Sequence, residues 1–355
     1  MSSLNIFAGT KALQRIRNEG FHAGLFGGFL GASGGPKWFV LAGLDKIIFP
    51  EFLDARKGTI DIMGSSAGAF RAACLAQNDT AAAIDRLANS YANTVYSARP
   101  DAKEITDRGY DLLYGMLGEK GISEAISSSS KNLHFFVQHC HGLVSSDNKA
   151  AQMMGLSIAA AKNMLNRKSI AKQFTRAVFS TKPKLDLFRD PCDFPTDYYQ
   201  LDASNFIPSL MASGSIPIVL QGIKDIPNAK PGVYRDGGII DYHFDLAFEQ
   251  SDLILYPHFY KTPTPGWFDK NLKGRQCHAS SYENVLMLTP SDEFVASLPY
   301  SKIPDRKDFE NMEAEVRIKY WLEVIKTSEK LAEEFVNLIQ SDDIISKIQP
   351  IQLKR

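Results

Sequence analysis

A chain of 355 residues is long enough for one large α/β domain or two smaller ones. Hydrophobic residues make up 44% and charged residues 23%, which excludes an intrinsically disordered chain. Lys plus Arg and Asp plus Glu number 40 each, so no net charge draws the protein to nucleic acid.

From the N-terminus, Met1 to Arg17 holds no apolar stretch long enough for a signal peptide, and Ala8 to Arg17 reads as a short helix. Ala23 to Leu30 is small or apolar and is expected to form the first buried strand. It feeds the glycine-rich run Gly31-Ala32-Ser33-Gly34-Gly35-Pro36-Lys37-Trp38, and a helix is expected from Phe39 to Ile48. Pro36 suits a first helical turn, where its missing N–H costs nothing. Thr59 to Met63 is a second strand, followed by a turn and a helix over Ala69 to Ala76. Strand, helix, strand, helix at this spacing argues for parallel βαβ units.

Helices are expected over Thr80 to Ala98 and Ala102 to Leu117, then a polar turn at Ser127 to Ser130 and a strand over Leu133 to Val144. Ala150 to Thr181 reads as mostly helical. Strands follow at Tyr198 to Leu201, Val233 to Asp236, Leu253 to Phe259 and Asn284 to Leu288, with a helix or turn at Phe206 to Ser213. Beyond Pro304, Phe309, Met312, Val316, Tyr320, Val324, Leu331, Phe335 and Leu338 recur at spacings of mostly three and four, which predicts a charged helix packing its apolar stripe on the core. Its acidic and basic residues are mixed, unlike those of a membrane-surface helix. No segment reaches the ~20 consecutive apolar residues of a membrane span. Cys74, Cys140, Cys192 and Cys277 are widely spaced and read as free thiols of a reducing compartment.

The segment Gly64-Ser65-Ser66-Ala67-Gly68, between a strand and a helix, has the G-x-S-x-G form of a nucleophile elbow and makes Ser66 a candidate nucleophile. A sharp strand-to-helix turn strains its central residue, and Gly64, Ala67 and Gly68 keep the neighbouring main chain free of clashes. Gly31-Ala32-Ser33-Gly34-Gly35 matches the same pattern, so Ser33 is a rival. Pro36, Lys37 and Trp38 stand where an elbow needs small residues, which favours Ser66. Backbone N–H groups of Gly34 and Gly35 are candidate oxyanion donors, with Lys37 adding positive potential. That loop also reads as a tight turn or phosphate cradle, although it lacks G-x-x-x-x-G-K-[ST] and a clean G-x-G-x-x-G. Asp236-Gly237-Gly238 ends a strand, where an acid on a rigid element followed by glycines points into a cleft; alone it also reads as an ordinary Asp-Gly turn.

Taken together and in this order, the glycine-rich loop, the elbow and Asp236-Gly237-Gly238 resemble the patatin-like phospholipase family. Ala212-Ser213-Gly214-Ser215-Ile216-Pro217 is similar to the segment before that family's aspartate, and the likeness runs from about Ala23 to about Asp245. The resemblance implies a three-layer α/β/α fold with a mostly parallel sheet. It implies a Ser66–Asp236 dyad without histidine, an oxyanion hole at Gly34 and Gly35, and support from Gly64, Gly68, Lys37 and Gly237. It further implies acyl-ester lipid substrates and no metal or other cofactor. The family loop is G-G-G-x-[KR]-G, and here Ser33 replaces its first glycine and Trp38 its last, a tryptophan placed to narrow an acyl site.

Two other readings stay open. His243, His258 and His278 follow Asp236 in the order of an α/β-hydrolase triad. A catalytically silent lipid-binding protein of the same fold is the other. Residues 1–303 are expected to form the acyl hydrolase domain and residues 304–355 a C-terminal helical segment packed on it. The expected setting is cytoplasmic, with peripheral contact at a membrane or micelle surface. The 22 Phe, 13 Tyr and 3 Trp supply material for an acyl pocket as well as a core.

Overall fold

A computed structural model describes residues 2–183, 186–248, 252–341 and 343–353, which include every residue considered for the site. Its first strand, β1 (Leu4–Ala8), alternates buried and half-buried positions and leads into α1 (Thr10–Glu19). The buried strand β2 (Phe26–Gly31) is therefore the second, not the first. A 3-10 stretch at Gly35–Leu41 holds Pro36 in its first turn and continues as α2 (Ala42–Glu51). Strand β3 (Ile60–Ser65) then runs into α3 (Ala67–Leu75).

Helix α4 (Thr80–Ala92) is capped by Asp79, whose side chain accepts the Ala82 N–H, and α5 (Ala102–Leu117) by Asp101 in the same way. After α6 (Gly121–Ser127) come the fully buried β4 (Lys131–Cys140) and then α7 (Lys149–Leu165). The expected helical region ends there, because Phe174–Ser180 is strand β5. Its Phe-Thr-Arg-Ala-Val-Phe run is β-branched and aromatic enough to pair with β4, and tertiary pairing overrides its ambiguous periodicity. The bridge β6 (Phe188–Arg189), β7 (Thr196–Gln200), α8 (Phe206–Gly214), the short β8 (Ile223–Lys224) and β9 (Val233–Asp236) follow.

Next come the bridge β10 (Ala247–Phe248), β11 (Leu253–Pro257), β12 (Val285–Pro290) and α9 (Asp292–Ser297). The single helix expected beyond Pro304 is instead α10 (Asp308–Asn311), α11 (Ala314–Thr327), α12 (Glu329–Gln340) and α13 (Ile344–Lys347). Tyr320, Trp321, Val324, Leu331 and Phe335 are buried in the main core, whereas Val316 is exposed. The segment then ends as strand β13 (Ile348–Pro350), parallel to β1, so it is not purely helical.

The fold is α/β/α: a mixed, mostly parallel sheet with helices on both faces. Strand order is β13-β1-β12-β11-β2-β3-β4-β5-β7, with β8 and β9 off this path. The central β12, β11, β2, β3 and β4 are parallel neighbours buried on both faces, as their near-continuous apolar runs require. Strand β4 carries two partners along one edge. Its Lys131–Phe136 half pairs parallel with β3, and its Val137–Cys140 half pairs antiparallel with β9. Strands β3 and β9 thus approach each other end to end.

Among the described residues, no helix is long and apolar enough to cross a membrane. All four cysteines are free.

Candidate active site

The junction of β3 and β9 determines which residues meet. Ser65 lies opposite Phe136 and Asp236 opposite Val137, so consecutive residues of β4 carry the ends of both strands. Ser66 follows as the residue between β3 and α3, with φ 55° and ψ −128°. That left-handed backbone is a strained conformation for any residue with a side chain. It holds the hydroxyl against Asp236: Ser66 Oγ donates to Asp236 Oδ2 at 2.8 Å. Each residue is 7% exposed.

Neighbouring glycines make this packing feasible. A Cβ on Gly68 would lie 1.8 Å from the Gly31 carbonyl oxygen, so α3 and the end of β2 approach as closely as two backbones can. Gly64 faces the Gly68 carbonyl, and Gly237 faces the Phe136 carbonyl; a Cβ on either would clash. Ser213, from α8, ties the elbow down. Its Oγ accepts the Ser66 N–H at 2.9 Å and donates to the Phe136 carbonyl at 2.8 Å.

Asp236 Oδ1 accepts the Gly238 N–H at 2.7 Å, leaving Oδ2 for Ser66. Burial pushes its carboxyl up to about 6, against the lowering influence of the Ser66 and Gly238 hydrogen bonds and of Lys270 and Arg306. Gln138 Nε2 fixes the turn by donating to the Gly237 carbonyl at 3.2 Å and to Asp241 at 3.3 Å. Arg176 clamps Asp241 through two hydrogen bonds of 2.7 and 2.8 Å. On the opposite side, α3 is anchored to α2 by the fully buried, bidentate Arg71–Asp45 pair at 2.6 and 2.7 Å.

Gly35, next to Gly34 in the loop, lines the same cavity as Ser66. Gly35 has φ 56°, and a Cβ on Gly34 would press on the Phe259 ring at 2.5 Å. Among the described residues, the amides of Gly34, Gly35 and Ala67 have no carbonyl partner. Ala67 starts α3, so its amide is one of the helix's unsatisfied N-terminal donors. Ser33 is not a nucleophile-like serine: it is buried, and its Oγ donates to the Ser65 hydroxyl at 2.9 Å. It ties the loop to the elbow. Lys37 forms an ion pair with Asp305 of the C-terminal segment, which offsets its charge at the loop. Trp38 is fully buried against Phe39 and does not narrow the cavity beside Ser66.

The three histidines considered for a triad have other partners. His243 Nδ1 accepts the Thr264 N–H at 2.8 Å, and His243 and His258 meet edge to face at 4.3 Å. Burial holds His243 well below the usual histidine range and His258 down to about 3. His278 Nδ1 lies 2.8 Å from Asp245, a hydrogen bond that raises its pKa. None of the three is hydrogen-bonded to Ser66 or Asp236.

A cavity of about 460 Å³ opens beside Ser66, Ala67 and Gly35. Its apolar wall includes Phe70, Leu112, Met211, Leu220, Phe309 and Met312, so the C-terminal segment forms part of it. Two cations near Asp236 were not singled out from the sequence. Arg306 lines the cavity, and Lys270 Nζ stands 3.9 Å above the Tyr242 ring. Lys270 reaches the surface, and partial burial together with the nearby Lys37 and Arg306 charges lowers its pKa. Both lie in loops without periodic pattern, so no local signal in the sequence marks them. Ser213 stood within the Ala212–Pro217 segment, but its hydrogen bonds depend on a strand far away in sequence.

No protein-family model and no curated protein matches this chain. Among solved structures, the crystal structure of VipD from Legionella pneumophila matches with a TM-score of 0.29 and 12% sequence identity, over 66% of this chain. The match spans about half of VipD, 50% of its chain.

Proposed function

We propose that the protein is a serine acyl hydrolase in which Ser66 and Asp236 act as a dyad on carboxylic esters of lipids. The hydrogen bond from Ser66 Oγ to Asp236 Oδ2, 2.8 Å long in a buried site, carries this reading. The resemblance of the loop, elbow and Asp-Gly-Gly segments to patatin-like phospholipases supports it. So does the apolar cavity, which is of a size to hold an acyl chain.

Asp236, ionised above its pKa of about 6, takes the proton as Ser66 Oγ attacks the ester carbonyl carbon. The resulting oxyanion is met by amides of Gly34, Gly35 and Ala67. Collapse breaks the ester C–O bond, and Asp236 returns its proton to the leaving alcohol oxygen. Water then attacks the acyl-serine, giving one proton to Asp236; the tetrahedral intermediate expels Ser66 Oγ, which regains that proton as the fatty acid leaves.

The test is hydrolysis of a panel of esters and phospholipids of varied chain length by the wild type and by Ser66→Ala. Wild-type turnover that is lost on every substrate with Ser66→Ala supports the reading. Activity retained in Ser66→Ala contradicts it.

A further inference from the structure

Helix α7 buries one face and leaves the other bare. Gln152, Gly155, Leu156, Ala159 and Asn163 pack inward, and a Cβ on Gly155 would meet Leu143 and Val144 at 2.8 Å. At about 100° per residue, Met153, Met154, Ile158, Ala161, Met164 and Leu165 fall on the opposite side, all exposed. Leu165 is 84% and Met164 60% exposed, values far from those of core methionine and leucine. Five large apolar side chains in a continuous stripe differ from the scattered apolar residues of an ordinary surface.

Charge marks what suits this stripe. The helix contains no Asp or Glu. Lys149 stands at one rim of the exposed arc and Lys162 at the other, and neither has an acidic partner among the described residues. Arg275 hydrogen-bonds the Asn163 and Met164 carbonyls at 3.0 and 3.4 Å, but its charge is offset by Asp269 at 3.6 Å, so the two lysines carry the positive charge of this face. An apolar stripe rimmed by lysines is the pattern of a helix lying in a lipid interface, its methylenes among acyl chains and its ammonium groups at anionic headgroups. Because the other face is packed into the fold, the helix offers its apolar stripe on one side only, in the manner of a helix lying in a lipid interface. A planar surface fits what is left.

We propose that α7 is a docking surface for anionic lipid bilayers. The proposal stands on the helix itself and goes beyond the hydrolase reading, which it does not require.

The experiment measures co-sedimentation of the full chain with vesicles of phosphatidylcholine and phosphatidylserine mixed two to one, and of phosphatidylcholine alone. The variants are Met154→Glu/Ile158→Glu/Leu165→Glu and Lys149→Gln/Lys162→Gln, each checked for an unchanged melting temperature. Leu165→Ser alone serves where the triple change unfolds the chain. The wild type is expected to bind the phosphatidylserine vesicles at least about tenfold more tightly than the triple variant, with the lysine variant intermediate and less salt-sensitive. Wild-type protein left in the supernatant, or a triple variant that binds equally well, overturns the proposal. So does a wild-type dimer that ignores vesicles and that the triple variant dissociates, since the stripe then covers a second copy. Hydrolysis of a soluble short-chain ester, measured on the same samples, reports on Ser66 separately. Its absence counts against the hydrolase reading and leaves the vesicle result standing.

Discussion

Ser65 and Asp236 face consecutive residues of one strand, Phe136 and Val137 of β4, although they belong to strands that run in opposite directions. The distance between Ser66 and Asp236 is therefore a matter of register on β4 rather than of loop conformation. A slip of one residue in either pairing would invert the side chains across the sheet and separate the pair. Gly237 sits at this junction because any Cβ there would strike the Phe136 carbonyl.

The backbone at Ser66 stores strain that a glycine does not feel. Ser66→Gly and Ser66→Ala both lose the hydroxyl that Asp236 accepts from and both abolish ester hydrolysis, but Ser66→Gly is expected to be about 1 kcal/mol more stable than Ser66→Ala. Urea unfolding of the two variants measures it, and a Ser66→Gly less stable than Ser66→Ala contradicts the strain assigned to φ 55°.

The raised pKa of Asp236 makes the proposed reaction sensitive to pH. As the proposed general base the carboxyl has to be ionised, so kcat/KM on a soluble ester is expected to fall as pH drops through about 6. Asp236→Asn removes the base and lowers kcat by about 100- to 10,000-fold. Stability moves the other way. A carboxyl held at about 6 in the fold, against 3.8 otherwise, favours the folded state fully below pH 3.8, and the advantage is lost as pH rises to about 6. Asp236→Asn gains on the wild type across that window by at most about 3 kcal/mol and by a constant amount above it. Paired denaturation curves at several pH values read both the sign and the window.

Lys270 holds the Asp236 carboxyl lower than burial alone would. Lys270→Met removes that positive charge, so the acid limb of the pH–rate profile moves to higher pH while the fold is preserved. An acid limb that stays in place or moves down contradicts an electrostatic link between the two.

Ser213 acts on Ser66 through the backbone. Ser213→Ala leaves the Ser66 N–H and the Phe136 carbonyl without their partner, which costs about 1–3 kcal/mol of stability. With the elbow loosened, kcat on a soluble ester falls while KM changes little. A stability loss with unchanged kcat would make Ser213 structural only.

The elbow, the glycine-rich loop and Asp236-Gly237-Gly238 were legible in the sequence because each is a local arrangement whose small residues have local steric causes. What joins them was not. That β9 abuts β3 on the edge of β4 is a long-range pairing with no local signature. Strand β1 is short, with Asn5 between its apolar residues, and its neighbour α1 dominates the periodicity. The stripe from Phe309 to Leu338 continues across the breaks at Met312–Glu313 and Ser328, so its spacing alone reads as one helix. Ser33 and Lys37 had plausible roles on the loop that their partners Ser65 and Asp305 alter. The sequence of α7 reads only as part of a mostly helical region, since periodicity does not say whether a neighbour covers its apolar stripe.

In the proposed dyad, Asp236 makes Ser66 a nucleophile. Labelling with a fluorophosphonate, followed by mass mapping of the modified peptide, addresses this without knowledge of the substrate. The account predicts one phosphonylated residue, Ser66, in the wild type, no labelling of Ser66→Ala, and labelling of Asp236→Asn slowed by at least about 100-fold. An unlabelled wild type, a label on another serine, or an Asp236→Asn protein that reacts as fast as the wild type would contradict it.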